Sequence, residues 1–493
     1  MKKYFKILAI LAVGAFTISC ESDLDEINTN PNDPSQVSPE LLLTYAQRNS
    51  FQIESKDPNY ALRMLVYTGI ENQYQYYKWA NGSFGKYNVL MNVTKMMEEA
   101  ERVDNENYLA IGKFLRAYHF YSLTMRFGEI PYSEALKGET EGFFQPKYDT
   151  QADVFVGILN ELKEANDLIN SQDPINGDIV YGGDATKWKK LINTFRLKVL
   201  MTLSNKGTVG NINVAQEFAT IYNTQPLMMS NQDSGLMEFF DQANNRYTFF
   251  NDSDYGSSLY MSDSFIELFQ ERQDPRIFSF AERTTSAATA GLAITDFDAY
   301  NGGNPTAPYS DNEILIQQGN ISKVNERFYK NPTNEPSNFL SYSEQEFMLA
   351  EASLRGWISS NAKEHYENAI ESSFEFYISN VPDAHLYFEG FDINTYINQP
   401  LVNLDNANST EQKLNFVMLQ KYMTMFHQNS WTAYFDYLRT GFPELPQQAG
   451  VTPPLRWLYP NSEYNNNTVN LEESLQRQFG GNDNIRSITW LYQ

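Results

Sequence analysis

Several long segments of this chain repeat apolar residues with the 3.6-residue period of an α-helix. The segment "NENYLAIGKFLRAYHFYSLTMRFG" places Phe114, Tyr118 and Tyr121 on one broad face and ends at Gly128. A glycine at this position is typical of a helix C-terminus. We therefore predict a helix that ends at Gly128 and interpret both tyrosines as core residues.

The same pattern continues to about residue 206. Pro39 is predicted to begin the first helix of the body, because proline is favoured in the first helical turn. "TQADVFVGILNELKEANDLIN" is predicted as a helix with Thr150 as its N-cap. "DATKWKKLINTFRLKVLMTLSNKG" is predicted as a further helix that ends near Gly207.

Residues from about 207 to 340 have a different composition. A short helix in "MSDSFIELFQERQDPRIF" precedes a stretch of about 30 residues rich in Thr, Ala, Gly, Asn and Pro. A loop of this length is usually functional or disordered, and its aromatic residues argue against disorder. We interpret Asp274 as the end of the short helix rather than as a catalytic carboxylate.

A helix pair is predicted from residue 341. Its second helix carries Ala362, Tyr366 and Ala369, which have the spacing of a tetratricopeptide repeat. Small residues at such positions let neighbouring helices lie close together. The last helix is predicted in "STEQKLNFVMLQKYMTMFHQN", and "PPLRWLYPNSEYNNNTVN" near the C-terminus is predicted to be a loop.

The N-terminal residues 1–19 have the organisation of a secretory signal peptide. Lys2, Lys3 and Lys6 precede an apolar run at residues 7–18 that is too short to span a bilayer. We predict that this segment is removed from the mature chain.

Cys20, the only cysteine, directly follows this segment and is predicted to be acylated as the mature N-terminus. Thr17 stands where a lipobox usually has leucine, so an ordinary cleavage site and a buried free thiol stay open as alternatives. Residues 20–38 are polar and acidic and predict a flexible tether. Residues 39–493 are then predicted to form a single α-helical domain.

The charge of the chain argues against a nucleic acid partner. Without Lys2, Lys3 and Lys6, the mature chain has 34 basic and 61 acidic residues, a formal charge of −27. Phosphate binding requires a basic surface. For the same reason, an anionic polymer is not the default expectation for a ligand.

No catalytic motif stands out in the sequence. The histidines at 119, 365, 385 and 427 lack metal-ligand spacing, and we find neither a nucleophile elbow nor a phosphate-binding loop. A glycosidase needs only two carboxylates, and 61 acidic residues supply many pairs by chance. We expect a protein that is not an enzyme and has no cofactor; Asp/Asn-rich loops are too common here to single out a Ca²⁺ site.

Aromatic residues in polar, Gly/Asn-rich segments are the best indication of a ligand site. Flat rings cover the apolar face of a sugar while amide groups bond its hydroxyls, and the same side chains suit a protein interface. Two segments supply the predicted ligand-contacting residues: Trp79, Asn81, Phe84 and Tyr87 in the first, and Phe297, Tyr300, Asn301, Asn304 and Tyr309 in the second. For Trp79, ligand contact, partner contact and simple packing all stay open.

Seven segments in order resemble the SusD/RagB-like outer-membrane nutrient-binding lipoproteins of Bacteroidetes. The resemblance covers essentially the whole mature chain. Its segments are "INTNPNDPSQVSPELLL", "FLRAYHFYSLTMRFGEIPYSEAL", "WKKLINTFRLKVLMTLSN", "MSDSFIELFQERQDPRI", "FLSYSEQEFMLAEASLRGW", "SWTAYFDYLRTGFP" and "LRWLYPNSEYNNN".

The resemblance implies a mainly α fold, with about four tetratricopeptide-like helix pairs as scaffold and an irregular, loop-rich ligand face. It implies a lipoprotein anchored in the outer membrane at the cell surface. Such a protein binds oligosaccharides without cleaving them and delivers them to a SusC-like TonB-dependent transporter. The acidic "ESDLDE" after Cys20 is similar to the export signals of such lipoproteins.

In the family, ligand-binding aromatics come from regions that correspond to residues 79–87 and 297–309 here. "LRWLYP" and "RTGFP" are interpreted as structural, so Trp457 and Arg439 are not expected to touch ligand. The alternatives are the same machinery binding peptides or another non-sugar nutrient, a surface polysaccharide hydrolase, and a helical-repeat adaptor without a small ligand. The sequence does not identify the cargo.

Overall fold

The computed structural model describes residues 37–493, apart from the side chains of Glu139, Thr140 and Ser430. The predicted signal peptide, Cys20 and nearly all of the tether lie outside this range. Within the range, no helix combines the length and apolar character needed to cross a membrane. The division of the chain into signal peptide, tether and single domain stays a prediction.

Helices build most of the molecule. Those before residue 225 are α1 (Pro39–Phe51), α2 (Asp57–Ala61), α3 (Lys86–Arg102), α4 (Glu106–Phe127), α5 (Gly138–Glu141), α6 (Gln151–Leu168), α7 (Ala185–Thr202) and α8 (Val214–Thr224). Those of the middle region are α9 (Asp263–Glu271), α10 (Arg276–Phe280), α11 (Thr285–Thr289), α12 (Glu313–Gln317) and α13 (Arg327–Lys330).

The remaining helices are α14 (Tyr342–Leu354), α15 (Ala362–Asn380), α16 (His385–Phe388), α17 (Ile393–Ile397), α18 (Thr410–Met423), α19 (Ser430–Thr440), α20 (Asn461–Asn466) and α21 (Thr468–Phe479). The strands are short: β1 (Leu65–Tyr67), β2 (Thr208–Val209), β3 (Ile212–Asn213), β4 (Gly235–Met237), β5 (Leu259–Met261) and β6 (Ser337–Leu340). They pair antiparallel as β1 with β5, β2 with β3 and β4 with β6. The predicted mainly α fold is confirmed.

The sequence signals at the helix ends act as predicted. The Thr150 side chain accepts a hydrogen bond from the Asp153 backbone N–H at the start of α6. α4 ends at Gly128, whose φ of +86° favours glycine and whose N–H donates to the Thr124 carbonyl. These two caps satisfy backbone groups that a helix end would otherwise leave without partners. α1 begins at Pro39, which has no backbone N–H to satisfy.

Neighbouring helices pack in pairs, as the repeat spacing predicts. α4 lies along α3 and α6, and α15 lies along α14. At the α14–α15 contact, Tyr366 and Ala369 are fully buried, and the Ser343 hydroxyl donates to the Ala369 carbonyl over 2.7 Å. This hydrogen bond joins the two helices at a position where both side chains are small. Tyr121 is buried and Tyr118 packs against the core, which confirms that interpretation.

The C-terminal region corrects the prediction of a loop. α20 and α21 occupy residues 461–466 and 468–479, and α19 also follows the helix predicted as the last one. α21 buries Leu471 and Leu475, one turn apart. Its Ser474 hydroxyl and Arg477 guanidinium donate to the Glu129 carboxylate over 2.8 and 2.9 Å. A short apolar stripe and contacts with a distant segment define this helix, and neither gives a long periodic signal.

Candidate functional site

A cavity of about 380 Å³ opens beside the first predicted ligand segment. It lies where α1, α3 and α4 meet the loop after β1 and the segment before α20. We call it the loop cavity. Its lining residues are Asn49, Glu54, Tyr74, Asn81, Gly82, Ser83, Gly85, Lys86, Val89, Arg126, Phe127 and Trp457.

The loop that carries Asn81 is held against the C-terminal segment. The Gly82 N–H donates to the Leu458 carbonyl over 2.9 Å, and the Asn81 side-chain amide donates to the Tyr459 carbonyl over 2.6 Å. A Cβ at Gly82 would lie 2.5 Å from Cζ of Phe127. Only glycine therefore lets this loop approach α4 so closely.

Aromatic rings form one wall of the loop cavity. Trp79, Trp431 and Trp457 make a cluster, with ring centroids 4.3 Å apart for Trp79–Trp457 and 4.7 Å for Trp431–Trp457. Tyr74 packs on the Trp79 ring at 5.5 Å. Trp79 and Trp457 are only 4% and 6% exposed, and Tyr74 is half-buried; of the three, Tyr74 and Trp457 line the cavity. Trp79 thus supports the rings that face the open space.

Three charged residues, Glu54, Lys86 and Arg126, also line the site. Arg126 donates to both carboxylate oxygens of Glu54, over 2.7 Å from Nη1 and 2.5 Å from Nη2. The Lys86 ammonium reaches the same carboxylate at 3.3 Å. The Arg126 guanidinium also lies 5.6 Å from the Trp457 ring centroid, within cation–π range. The polar and aromatic sides of the cavity are therefore joined through Arg126.

This arrangement shifts the pKa values of the charged residues. Burial alone would raise the pKa of Glu54, but the Arg126 and Lys86 charges hold it well below its usual range. Burial lowers the pKa of Lys86, which Glu54 opposes and Arg126 reinforces. Burial would also lower the pKa of Arg126, yet Glu54 raises it. Glu54 and Arg126 are therefore a fixed ion pair at neutral pH.

The first set of predicted residues divides between the cavity and the packing behind it. Asn81 lines the cavity. Phe84 packs edge-on against Phe127 at 5.0 Å, and the Tyr87 hydroxyl donates to the Pro131 carbonyl over 2.5 Å. Trp79 lies in the tryptophan cluster. A direct ligand role for these residues stays a prediction.

The second set of predicted residues packs elsewhere. Phe297 and Tyr300 stack near Phe278, at 4.6 and 5.5 Å, and the Tyr300 hydroxyl donates to the Ile294 carbonyl over 2.6 Å. The Asn301 side chain donates to the Asn320 carbonyl over 2.7 Å. These contacts hold the long loop in one conformation, and its aromatic rings are largely used in packing.

The second predicted segment contacts the chain just before the first one, at Tyr76. The Tyr76 hydroxyl donates to the Ala307 carbonyl over 2.8 Å. Asn304 accepts hydrogen bonds from the Thr306 and Ala307 backbone N–H groups, which fixes this turn. Tyr309 is half-buried. The loop cavity includes none of the predicted residues between 297 and 309, so the two sets do not share it.

Sequence reasoning missed Glu54, Tyr74, Lys86 and Arg126 and assigned Trp457 to a structural role. Trp457 has that role through the tryptophan cluster, and it also lines the cavity. Glu54 and Arg126 are 72 residues apart in the chain, so no local spacing connects them. Arg439 is buried in ion pairs, in agreement with its structural interpretation.

Among residues 37–493, no group of three or more His, Cys, Asp and Glu side chains could hold a metal ion. His119 and His427 are buried, and burial lowers both of their pKa values well below the usual range. The chemistry of the site therefore comes from rings, amides and the Glu54–Arg126–Lys86 group. Aromatic side chains that line a cavity beside hydrogen-bonding groups suit a polar ligand with apolar patches, such as a sugar.

Comparison with known proteins gives a consistent result. A SusD-like family model, described as "Starch-binding associating with outer membrane", matches residues 31–460. A SusD homolog from Bacteroides fragilis is 47% identical, with a TM-score of 0.88, and the match covers 93% of this chain and 100% of that one. A structure from Bacteroides vulgatus is 44% identical with the same coverage and a TM-score of 0.89.

A more distant structure, described as a chitin-binding protein, shares the fold. It has 23% identity and a TM-score of 0.74, and the match covers 92% of this chain and 100% of that one. A search of curated proteins gave no match.

Proposed function

The chain belongs to the SusD-like family, and we propose that it binds oligosaccharides at the cell surface. The model of this family is described as starch-binding and associated with the outer membrane. The loop cavity is the proposed site. Its volume of about 380 Å³ falls within the range of about 300–1,000 Å³ that is usual for small-ligand sites.

One observation supports this site above others: ring faces and hydrogen-bonding groups converge on the same open space. Tyr74 and Trp457 present aromatic surface, while Asn49 and Asn81 supply amide groups. A pyranose ring has an apolar C–H face and a rim of hydroxyls, so it matches both kinds of surface. Glu54 and Arg126 add charged partners, which make stronger hydrogen bonds to hydroxyls than neutral groups do.

The wider role that we propose has three parts. The mature chain is anchored to the outer membrane through lipid on Cys20, and the segment at residues 20–38 tethers the body to it. A SusC-like TonB-dependent transporter receives the bound oligosaccharide. The protein binds its cargo and does not cleave it. Family membership supports these parts, and each needs its own test.

Titration calorimetry of a soluble form that begins after Cys20, against a panel of oligosaccharides and peptides, tests the binding function. We expect saturable binding to at least one glycan. Tyr74→Ala removes one ring face and should weaken that binding at least about tenfold. Tyr45→Ala is the matched control, because Tyr45 is an exposed tyrosine on α1 outside the cavity lining.

Other results would favour the alternatives. If the protein bound only peptides, peptides rather than glycans would be its cargo. If it degraded a polysaccharide, it would be a hydrolase. Glycan binding that Tyr74→Ala and Tyr45→Ala leave equally strong would contradict the assignment of the loop cavity.

A further inference from the structure

The loop cavity has a local charge opposite to that of the whole molecule. The chain carries a formal charge of −24. Among the described residues that line the cavity, only Glu54, Lys86 and Arg126 are charged. The lining therefore holds two cations and one anion.

Both cations are largely removed from water. The side chains of Lys86 and Arg126 are each 14% exposed, whereas that of Glu54 is 41% exposed. A buried charge is costly unless an opposite charge and hydrogen bonds compensate for it. Here the Glu54 carboxylate is the ion-pair partner of both Lys86 and Arg126.

Arg126 and Lys86 do not use all of their hydrogen-bond donors within the protein. Arg126 uses both terminal nitrogens on Glu54, but its Nε–H is buried without a partner among the described residues. Lys86 makes a single long contact of 3.3 Å to Glu54, although an ammonium has three donors. The Arg126 Nε–H is enclosed, so the positively charged donors left to the lining residues are the second N–H of each Arg126 terminal nitrogen and the two unused N–H groups of Lys86.

Three further titratable groups lie near the cavity but outside its lining. Asp57, which begins α2, does not line the cavity, and burial raises its pKa. His119 lies behind Lys86, and burial lowers its pKa well below the usual range, so it is neutral. Tyr118, whose ring lies 5.9 Å from the Lys86 ammonium, is uncharged at neutral pH.

We propose that the loop cavity selects glycans that carry an acidic group, a carboxylate or a sulfate ester, and that Lys86 and Arg126 bind this group. The inference rests on the proposed function and specifies the ligand class of the same site. Because the rest of the surface is acidic, it repels long polyanions. The ligand is accordingly a mainly neutral oligosaccharide with an isolated acidic group.

Matched probes test the selection by calorimetry at low salt. Xylo-, cello- and galacto-oligosaccharides are each compared in four forms: neutral, with one glucuronic acid, with that acid as its methyl ester, and with one sulfate ester. We expect an acidic form to bind about tenfold more tightly than its uncharged counterpart, as for an added charged hydrogen bond. The glucuronate and sulfate arms identify which acidic group fits.

Two substitutions should act in opposite directions. Lys86→Gln should remove most of the preference for the acidic form. Glu54→Gln should strengthen binding of the acidic form several-fold, because it frees both cations from their internal partner. Lys78→Gln is the control, since Lys78 is an exposed lysine of the same loop that pairs with Glu71 outside the cavity. A purely structural role would make both cavity variants weaker.

Equal affinity for an acid and its methyl ester in the unmodified protein would overturn the inference and leave the proposed function standing. The same holds for a Glu54→Gln protein that stays folded and binds the acidic form less tightly. If Glu54→Gln fails to fold, the methyl-ester comparison and Lys86→Gln decide. Binding to no form of any glycan would contradict the proposed function, and the inference would fall with it.

Discussion

Trp79 shows how burial changes the meaning of an aromatic residue in a polar segment. Its ring is 4% exposed and packs against Trp431, Trp457, Tyr434 and Tyr74. The sequence places it beside a turn rich in Asn and Gly, which suggests an accessible ring. In the structure, the Trp79 ring packs behind the rings that line the loop cavity. Removing the Trp79 side chain should therefore affect stability before it affects ligand binding.

We predict that Trp79→Ala lowers the free energy of unfolding by about 3–5 kcal/mol, the range for large aromatic-to-alanine changes in a core. The midpoint of urea unfolding measures the loss. Phe144→Ala is the control, because Phe144 is 78% exposed and its truncation should change stability by no more than about 0.5 kcal/mol. Equal midpoints for the two variants would contradict the packing role of Trp79.

At the scale of elements, one buried ion pair and its hydrogen bonds connect helices that are far apart in the sequence. Asp274 is fully buried between α9 and α10, where its carboxylate accepts hydrogen bonds from Arg276 and, over 2.7 Å, from the Tyr396 hydroxyl of α17. Arg276 also donates to Ser373 of α15 and Gln420 of α18. The residue interpreted from sequence as a helix end is thus the centre of a contact among several helices.

Asp274→Asn should therefore be strongly destabilising, by about 3–5 kcal/mol, because it leaves the buried Arg276 charge without its partner. Chemical unfolding followed by circular dichroism measures the change. Asp167→Asn breaks an exposed pair with Lys163 on α6 and should cost less than about 1 kcal/mol. An Asp274→Asn protein as stable as the control would show that this contact does not hold the helices together.

A second buried network should make stability depend on pH. Asp436 of α19 pairs with Lys421 at 2.7 Å and Arg439 at 2.8 Å. Burial alone would raise the pKa of Asp436, but the two cations hold it well below its usual range. The Asp436 carboxylate is therefore protonated more readily in the unfolded chain than in the folded chain, and acid favours unfolding.

The stabilisation by Asp436 is fully present above the unfolded pKa of about 3.9 and is lost as pH falls through the folded pKa. We expect the urea midpoint to fall as pH is lowered from about 5 to 3. In Asp436→Asn the midpoint should be lower at pH 7 and should depend less steeply on pH. Parallel pH profiles for the two proteins would contradict the role of Asp436.

The elements that the sequence predicts well are those whose signals are local. Thr150, Gly128 and the spacing of Tyr366 and Ala369 each act within one or two turns, and the structure confirms them. α21 is different, because its position depends on Glu129, more than 300 residues away. A single sequence gives no measure of such a contact, and the sequence predicts a loop over residues 453–470, where α20 and the start of α21 lie.

At the scale of the whole molecule, the loop cavity arises from four parts of the chain. Glu54, Tyr74, Arg126 and Trp457 meet only because α1, α4 and the C-terminal segment pack together. The Gly/Asn-rich composition of the loop that carries Asn81 correctly indicated one edge of the cavity. The charged side could not be predicted, because the bonds between Glu54 and Arg126 exist only in the folded chain.

Attachment to the membrane is also a property of the whole protein. We predict that Cys20→Ala releases the protein from the outer-membrane fraction, because no other segment is expected to anchor it. Fractionation followed by immunoblotting measures the distribution, with Ser35→Ala in the tether as the control. A Cys20→Ala protein that stays with the outer membrane would show that lipid on Cys20 is not the anchor.

Hydrogen exchange tests whether a glycan binds in the loop cavity. Amide exchange is compared with and without a saturating amount of the oligosaccharide that binds most tightly in calorimetry. We expect added protection in residues 72–89 and 453–460, with little change at residues 297–309. Protection confined to residues 297–309, or to another face of the molecule, would show that the glycan binds outside the loop cavity.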